Sequence, residues 1–137
     1  MHSITFVLPF PPSRNAGRRH AHWSTIHRQT AAYYALCARV CHDQGLILPT
    51  GWAALTARAT CHVRGLNDED NLLARLKPTI DWVVRQRIVP DDSVRYWHWE
   101  AIPTQIVQRR TPAWIALTLT ECPVHQRHPH PPAEAAA

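Results

Sequence analysis

Lysine is nearly absent from this sequence of 137 residues, which contains a single lysine, Lys77, beside fourteen arginines. Acidic residues are also few, ten in all, and the net charge is +5 at pH 7. A basic balance of this kind predicts an anionic partner, and a nucleic acid is the leading candidate. A structural protein that binds no nucleic acid fits this balance poorly.

Long apolar runs are missing as well. No apolar segment approaches the roughly 20 residues that a membrane-spanning helix needs, so no membrane partner is expected. The N-terminal residues, Met-His-Ser-Ile-Thr-Phe-Val-Leu-Pro, lack the basic start and the small-residue cleavage site of a signal peptide. We therefore expect a cytoplasmic protein.

Only four cysteines are present. In a cytoplasmic protein they are expected to be reduced and to behave as small apolar residues when buried. Cys37 and Cys41, followed by His42, raise the alternative of a zinc site. A structural zinc site needs four closely organised ligands, and no second Cys/His pair has suitable spacing, so zinc is not favoured.

The periodicity of apolar residues predicts a mixed fold. Alternation predicts strands over residues 3–8, 53–63, 94–102 and 113–121. Helices are predicted over residues 24–44, where Gly45 is a natural stop, and over residues 71–87. The predicted fold class is a small single α/β (mixed α+β) domain, residues 1–122, with two main helices against a roughly four-stranded mixed sheet. Residues 123–137, rich in proline, histidine and alanine, offer no face to bury and are expected to form a disordered tail.

Two connections in the predicted fold are basic. The first follows the first strand and carries Arg14, Arg18 and Arg19, which could contact phosphates, and Trp23, which could stack on a base. The alternative is an ordinary surface loop. The second connection, residues 104–112, precedes the last strand and also carries two arginines.

Acidic residues are concentrated in residues 64–92, which contain six of the ten, together with the only lysine. The six are Asp68, Glu69, Asp70, Asp81, Asp91 and Asp92. Like charges at this density repel one another unless a cation lies among them. The alternative is a solvated acidic loop followed by an ordinary helix, and charge density alone does not decide between the two.

Spacing places several of these residues together. Asp68 and Asp70 lie two apart where a strand gives way to a helix, so both carboxylates can converge near the helix N-terminus. Asp70, Lys77 and Asp81 fall within about 20° of one helical face, although Pro78 is expected to kink the helix. Carboxylates without paired His or Cys favour Mg²⁺ or Mn²⁺, and acidic clusters in basic proteins hold such metals against phosphates. The residues themselves therefore predict metal-dependent phosphodiester chemistry.

The ordered set Asp68-x-Asp70-Asn71-Leu72, Lys77-x-x-x-Asp81 and Asp91-Asp92-Ser93-Val94 resembles the RusA family of Holliday-junction resolvases. The opening Leu8-Pro9-Phe10-Pro11-Pro12-Ser13, which leads into a basic loop, is similar to the N-terminus of that family. The resemblance extends to about Glu121.

This resemblance implies a homodimer that binds branched DNA and resolves four-way junctions by paired symmetric nicks, with Mg²⁺ as cofactor and Mn²⁺ as a possible substitute. It implies that Asp68, Asp70 and Asp92 are catalytic and hold the metal. The catalytic cation implied by the resemblance is Lys77, which keeps the spacing to Asp81 but follows the Asp-x-Asp later than is usual in the family.

Arg75 is the competing candidate for the catalytic cation. The remaining assignments are to DNA binding, for Arg64 and Arg75, and to support of the site, for Asn71, Asp81 and Asp91. Two other functions stay open: a protein of the same lineage that binds branched DNA without cutting it, and a metal-dependent nuclease that acts on other DNA structures.

Overall fold

The computed structural model describes residues 2–12 and 23–122 and shows a five-stranded mixed sheet with two helices. Its elements in chain order are β1 (Ser3–Pro9), α1 (Trp23–Asp43), β2 (Leu55–Val63), α2 (Glu69–Arg85), β3 (Trp97–Trp99), β4 (Thr104–Val107) and β5 (Trp114–Glu121). The predicted mixed α+β fold is confirmed.

The sheet is organised around β2 and β5. β5 lies between β1 and β2 and is antiparallel to both. The other edge of β2 is shared by two short strands, both parallel to it: β3 pairs with residues 55–57 and β4 pairs with residues 60–63. The predicted sheet had four strands, and the fifth is β4.

The helices pack on one face of the sheet, because apolar side chains alternate along the long strands. In β5 the buried side chains are Ile115, Leu117 and Leu119, as predicted, and in β2 every second residue from Leu55 to Val63 is buried. The apolar stripe of α1 is buried too, at Tyr33, Cys37 and Cys41. All four cysteines are free, and Cys37, Cys41 and Cys61 are buried.

Most predicted boundaries agree with the structure to within two residues, but the region after α2 differs. The strand predicted over residues 94–102 is only three residues long, because Tyr96 and Trp97 donate backbone hydrogen bonds to the Ser93 carbonyl and turn the chain. The predicted connection over residues 104–112 begins with β4. Alternation within a four-residue strand is too short to be recognised, and its pairing depends on β2, more than 40 residues earlier in the chain.

The predicted stop at Gly45 is confirmed by its geometry. Gly45 has φ +67° and donates to the His42 carbonyl, while Leu46 donates to the Cys41 carbonyl. These two bonds satisfy the last carbonyls of α1 and require the left-handed conformation that glycine adopts without strain. Within the described ranges, 2–12 and 23–122, no helix is both long and apolar enough to cross a membrane. Arg14, Arg18, Arg19 and the predicted tail lie outside the described residues.

Candidate functional site

The start of α2 presents the first part of the predicted site. β2 ends at Val63, and the chain reaches Asp68, which occupies the N-cap position with an extended backbone (φ −62°, ψ 152°). The Asp68 carbonyl accepts the first helical hydrogen bond from Leu72, at 2.8 Å. An N-cap aspartate usually uses its carboxylate to accept a bond from the helix backbone. Asp68 makes no such bond, and its exposed carboxylate is therefore available to a ligand.

Glu69 and Asp70 form the first turn of α2, and both are exposed. Negative charge at a helix N-terminus is favourable by about 0.3–1 kcal/mol, because it faces the positive end of the helix dipole. This stabilisation is a sufficient structural reason for acidic residues here, so the acidic turn by itself does not define a site. Its significance depends on what surrounds it.

Lys77 lies two turns further along α2, where it is held between two carboxylates. Its ammonium group is 3.0 Å from an Asp81 oxygen and also donates a hydrogen bond to Asp92 in the loop after the helix. The pKa of Lys77 is raised, mainly by the hydrogen bond to Asp92 and further by Asp81. Lys77 therefore stays charged at neutral pH and links α2 to a residue fifteen positions away.

Asp91, the neighbour of Asp92, shapes the loop. Its carboxylate accepts a hydrogen bond from the Ser93 backbone amide at 2.7 Å. This bond to the amide two residues later forms an Asx-turn, a common way for aspartate to stabilise a loop. Hydrogen bonds from Ser93 lower the pKa of Asp91. The two adjacent aspartates thus make different contacts: Asp91 accepts from the backbone of Ser93, and Asp92 accepts from the side chain of Lys77.

A hydrogen-bond network fixes the backbone just before Asp68. The side-chain amide of Gln105, in β4, accepts from the Asn67 backbone amide at 2.9 Å and donates to the Asn67 carbonyl at 2.8 Å. That carbonyl belongs to the peptide that joins Asn67 to Asp68, so Gln105 holds the peptide plane that leads into the N-cap. Neither Asn67 nor Gln105 is a predicted site residue, because a glutamine in an apparent connection carries no sequence signal of such a contact.

Arg75 extends this network and differs sharply from Lys77. Its guanidinium donates to the Asn67 side chain at 3.3 Å and to the Pro11 carbonyl at 3.4 Å, and it lies 4.5 Å from the centre of the Phe10 ring. Burial lowers its pKa. Arg75 therefore ties α2 to the segment after β1, whereas Lys77 faces carboxylates. Of the two candidate cations, Lys77 is the one in contact with a predicted metal ligand.

The structure separates the three predicted metal ligands into two groups. Asp68 and Asp70 lie at the start of α2, while Asp92 is bound to Lys77, whose Cα lies roughly 10 Å further along the helix axis than that of Asp70. Among residues 2–12 and 23–122, no three His, Cys, Asp or Glu side chains are grouped as a metal site. The donor chemistry suits a hard divalent cation, since all three side chains are carboxylates with at least partial exposure.

The other predicted site residues that the structure describes lie on the surface. Trp23 is 74% exposed at the start of α1 and stacks on His27, with ring centres 5.2 Å apart. Arg64 is exposed directly after β2, and Asn71 is exposed in the first turn of α2. Comparison with protein-family models and with curated proteins finds no match.

Proposed function

We propose that this protein is a metal-dependent endonuclease that resolves four-way DNA junctions by paired symmetric nicks. The observation that carries the proposal is the contact between Lys77 and Asp92, which are fifteen residues apart in sequence. The resemblance to RusA resolvases assigns both residues to one site, and the contact supports the proposal because it brings the two side chains together. The exposed, uncapped Asp68 supports the proposal, since its carboxylate is not used to stabilise the helix.

Each residue has a distinct role in this proposal. Asp68, Asp70 and Asp92 would hold Mg²⁺, which supplies charge neutralisation at the scissile phosphate and an activated water. Lys77 would stabilise negative charge that develops on the phosphate, because its raised pKa keeps it protonated. Asp81, 3.0 Å from the lysine ammonium, orients it.

A homodimer is part of the proposal. The chain contains one such acidic set, whereas resolving a junction requires two coordinated nicks on a substrate with two-fold symmetry. A two-fold symmetric dimer presents one set to each cut strand. Light scattering is expected to give twice the mass of the 15.6 kDa chain for the protein alone, and two chains per junction for the complex with DNA. One chain under both conditions would contradict this part.

The direct test uses three labelled DNA substrates: a four-way junction, a flap and a linear duplex, each with and without Mg²⁺. The expected result is symmetric nicking of the junction only, and only with Mg²⁺. Cleavage of the flap in preference to the junction would favour a nuclease with another substrate. Absence of cleavage on all three substrates, with Mg²⁺ or Mn²⁺, would contradict the proposal.

A second candidate is a branched-DNA-binding protein that does not cut. The lack of a metal-ligand cluster favours it, because Asp68, Asp70 and Asp92 are not grouped as a metal site among residues 2–12 and 23–122. The two candidates differ in the same assay. Tight binding to the junction without nicking would favour this second candidate, whereas nicking in Mg²⁺ excludes it.

A further inference from the structure

The connection between β4 and β5 brings two unassigned arginines to the end of the sheet where α2 begins. β4 and β5 flank β2 on opposite edges, so residues 108–113 pass across the end of β2 to join them. Neighbouring strands are about 4.8 Å apart, and the connection therefore spans roughly 10 Å over the point where β2 ends. We call these residues the crossing turn.

Hydrogen bonds hold the base of the crossing turn against β2. The Gln108 amide donates to the Val63 carbonyl at 2.8 Å, one residue beyond the register that pairs Val107 with Val63. Arg64 follows Val63 directly, and Arg109 follows Gln108. Three arginines, Arg64, Arg109 and Arg110, are thus brought to one end of the sheet, and all three are exposed.

The same strand connects this basic end to the acidic start of α2. Gln105, three residues before Gln108, makes two hydrogen bonds to the main chain of Asn67, and Asn67 precedes Asp68. The crossing turn and Asp68 are therefore placed relative to each other by one short, hydrogen-bonded strand. The segment that follows β1 starts at the same end, since Phe10 donates to the Ala113 carbonyl at 3.1 Å.

These arginines have no carboxylate partner among the described residues, where both salt bridges belong to Lys77. Positive charges that lie at one end of the sheet without a counter-charge attract a polyanion, such as a nucleic acid backbone, whose negative charges repeat along its length. An aromatic pair lies at the same end of the sheet: His62 and Trp114 are in register on neighbouring strands and stack with ring centres 3.8 Å apart.

We propose that Arg109 and Arg110 of the crossing turn, with Arg64, bind the sugar–phosphate backbone of a DNA strand beside the start of α2. This inference rests on the proposed function, because it assigns the surface along which the cut strand approaches Asp68. Phosphate contacts position nucleic acid and carry no sequence information. The crossing turn therefore sets affinity and position, and the carboxylates carry out the cleavage.

The test is the salt dependence of binding to a fluorescein-labelled four-way junction, measured by anisotropy without divalent metal. Affinity falls as salt rises, and each lost phosphate contact makes the negative slope of log affinity against log salt shallower by about 0.9. The double variant Arg109→Gln/Arg110→Gln is expected to make the slope shallower by about two and to weaken binding. Arg109→Lys/Arg110→Lys keeps both charges and is expected to retain the slope.

A charge-matched control is the pair Arg39→Gln/Arg58→Gln, which removes two exposed arginines, one from α1 and one about five residues before the end of β2. Its slope is expected to stay near that of the wild type, and circular dichroism melting checks that all variants fold. An unchanged slope in the Arg109/Arg110 variant, or an equal drop in the control, overturns the inference while leaving the proposed function intact. If the wild type shows no salt-dependent junction binding, the proposed function fails as well.

Discussion

At the start of α2 the side chains of Asp68 and Asp70 are exposed, whereas two turns further on Lys77 is held between Asp81 and Asp92. The start is fixed through its backbone, since Gln105 binds both polar groups of the Asn67 main chain. The middle is fixed through its side chains. A ligand is bound best where the backbone is fixed and the side chains have no other partner. The start of α2 has both properties. In the middle of α2, the carboxylates of Asp81 and Asp92 are already paired with Lys77.

This difference assigns separate tasks to the two parts. The start of α2 is suited to bind a cation from solution, because its carboxylates contact no cationic side chain that the structure describes. In the proposed function, the middle of α2 would supply a positive group, Lys77, whose position is already set by Asp81 and Asp92. Preorganised charge of this kind stabilises a transition state without reorganisation at the moment of reaction.

The largest expected effect is at the start of the helix. Asp70→Asn removes a proposed metal ligand and is expected to lower single-turnover junction cleavage by a hundredfold or more. Junction binding should be unchanged or tighter, because a repulsive charge near the phosphate is removed. The matched control is Glu69→Gln in the same turn. Normal cleavage by Asp70→Asn would show that the start of α2 is not the metal site.

The next effect separates the two cations. Lys77→Ala is expected to lower the cleavage rate at saturating protein by roughly a hundredfold, because the charge next to Asp92 is lost. Arg75→Ala is expected to lower the melting temperature, since it leaves Asn67 and Pro11 without their donor. The reverse pattern, with a rate defect only in the Arg75 variant, would transfer the catalytic role to Arg75.

The pairing of Lys77 also has a pH dependence with a definite sign. Its pKa in the folded protein is raised above the ordinary value of 10.5. The stabilisation from this pair is therefore fully present below pH 10.5 and is lost as the pH rises through the raised pKa. The free energies of unfolding of the wild type and of Lys77→Ala, measured by denaturant titration, should therefore differ at neutral pH and converge at strongly alkaline pH. Equal free energies of unfolding already near neutral pH would contradict the assignment.

A smaller effect is expected for the backbone that leads into Asp68. Gln105→Ala removes both hydrogen bonds to the Asn67 main chain and is expected to cost about 1–2 kcal/mol, because these half-buried backbone groups lose their partner. Gln105→Glu keeps the acceptor and loses the donor, so it should be intermediate. The measurement is amide hydrogen exchange at Asn67, with Ile106→Ala in the same strand as control. Unchanged protection at Asn67 in Gln105→Ala would contradict the role given to Gln105.

The smallest expected effect is at Asp81. Its bond to Lys77 is an exposed pair four residues apart on a helix, and such pairs contribute about 0.3–0.5 kcal/mol. Asp81→Asn should change the melting temperature little and lower the cleavage rate less than tenfold, because Asp92 still holds Lys77. A rate loss equal to that of Asp70→Asn would show that Asp81 is itself a metal ligand.

The sequence predicts the parts of this molecule that depend on local pattern. Alternation identifies β5, and the helical face shared by Lys77 and Asp81 follows from their spacing, as their contact shows. Gly45 is identified as a helix stop because only a left-handed residue closes that end. Lys77 and Asp92 are in contact, while their assignment to one site through the resemblance stays a prediction.

What the sequence does not predict depends on contacts between distant segments. β4 is too short to show a pattern, and it exists because β2 offers it a free edge. The bonds of Gln105 to Asn67 join residues 38 positions apart and have no periodic signal. The inward position of Arg75 is likewise set by Phe10 and Pro11, which the chain brings close only after the sheet has formed.

The position of β5 inside the sheet has a consequence for synthesis on the ribosome. β1 and β2 are made early, yet each finds its long antiparallel neighbour in β5, whose residues are among the last of the domain to emerge. Until then, the apolar sides of β1 and β2 have no complete sheet to join, and folding must wait for contacts of long sequence separation. A nascent chain arrested before Trp114 is therefore expected to be sensitive to protease along its whole emerged length. Once Glu121 has also emerged, the chain is expected to become resistant to protease in a single step.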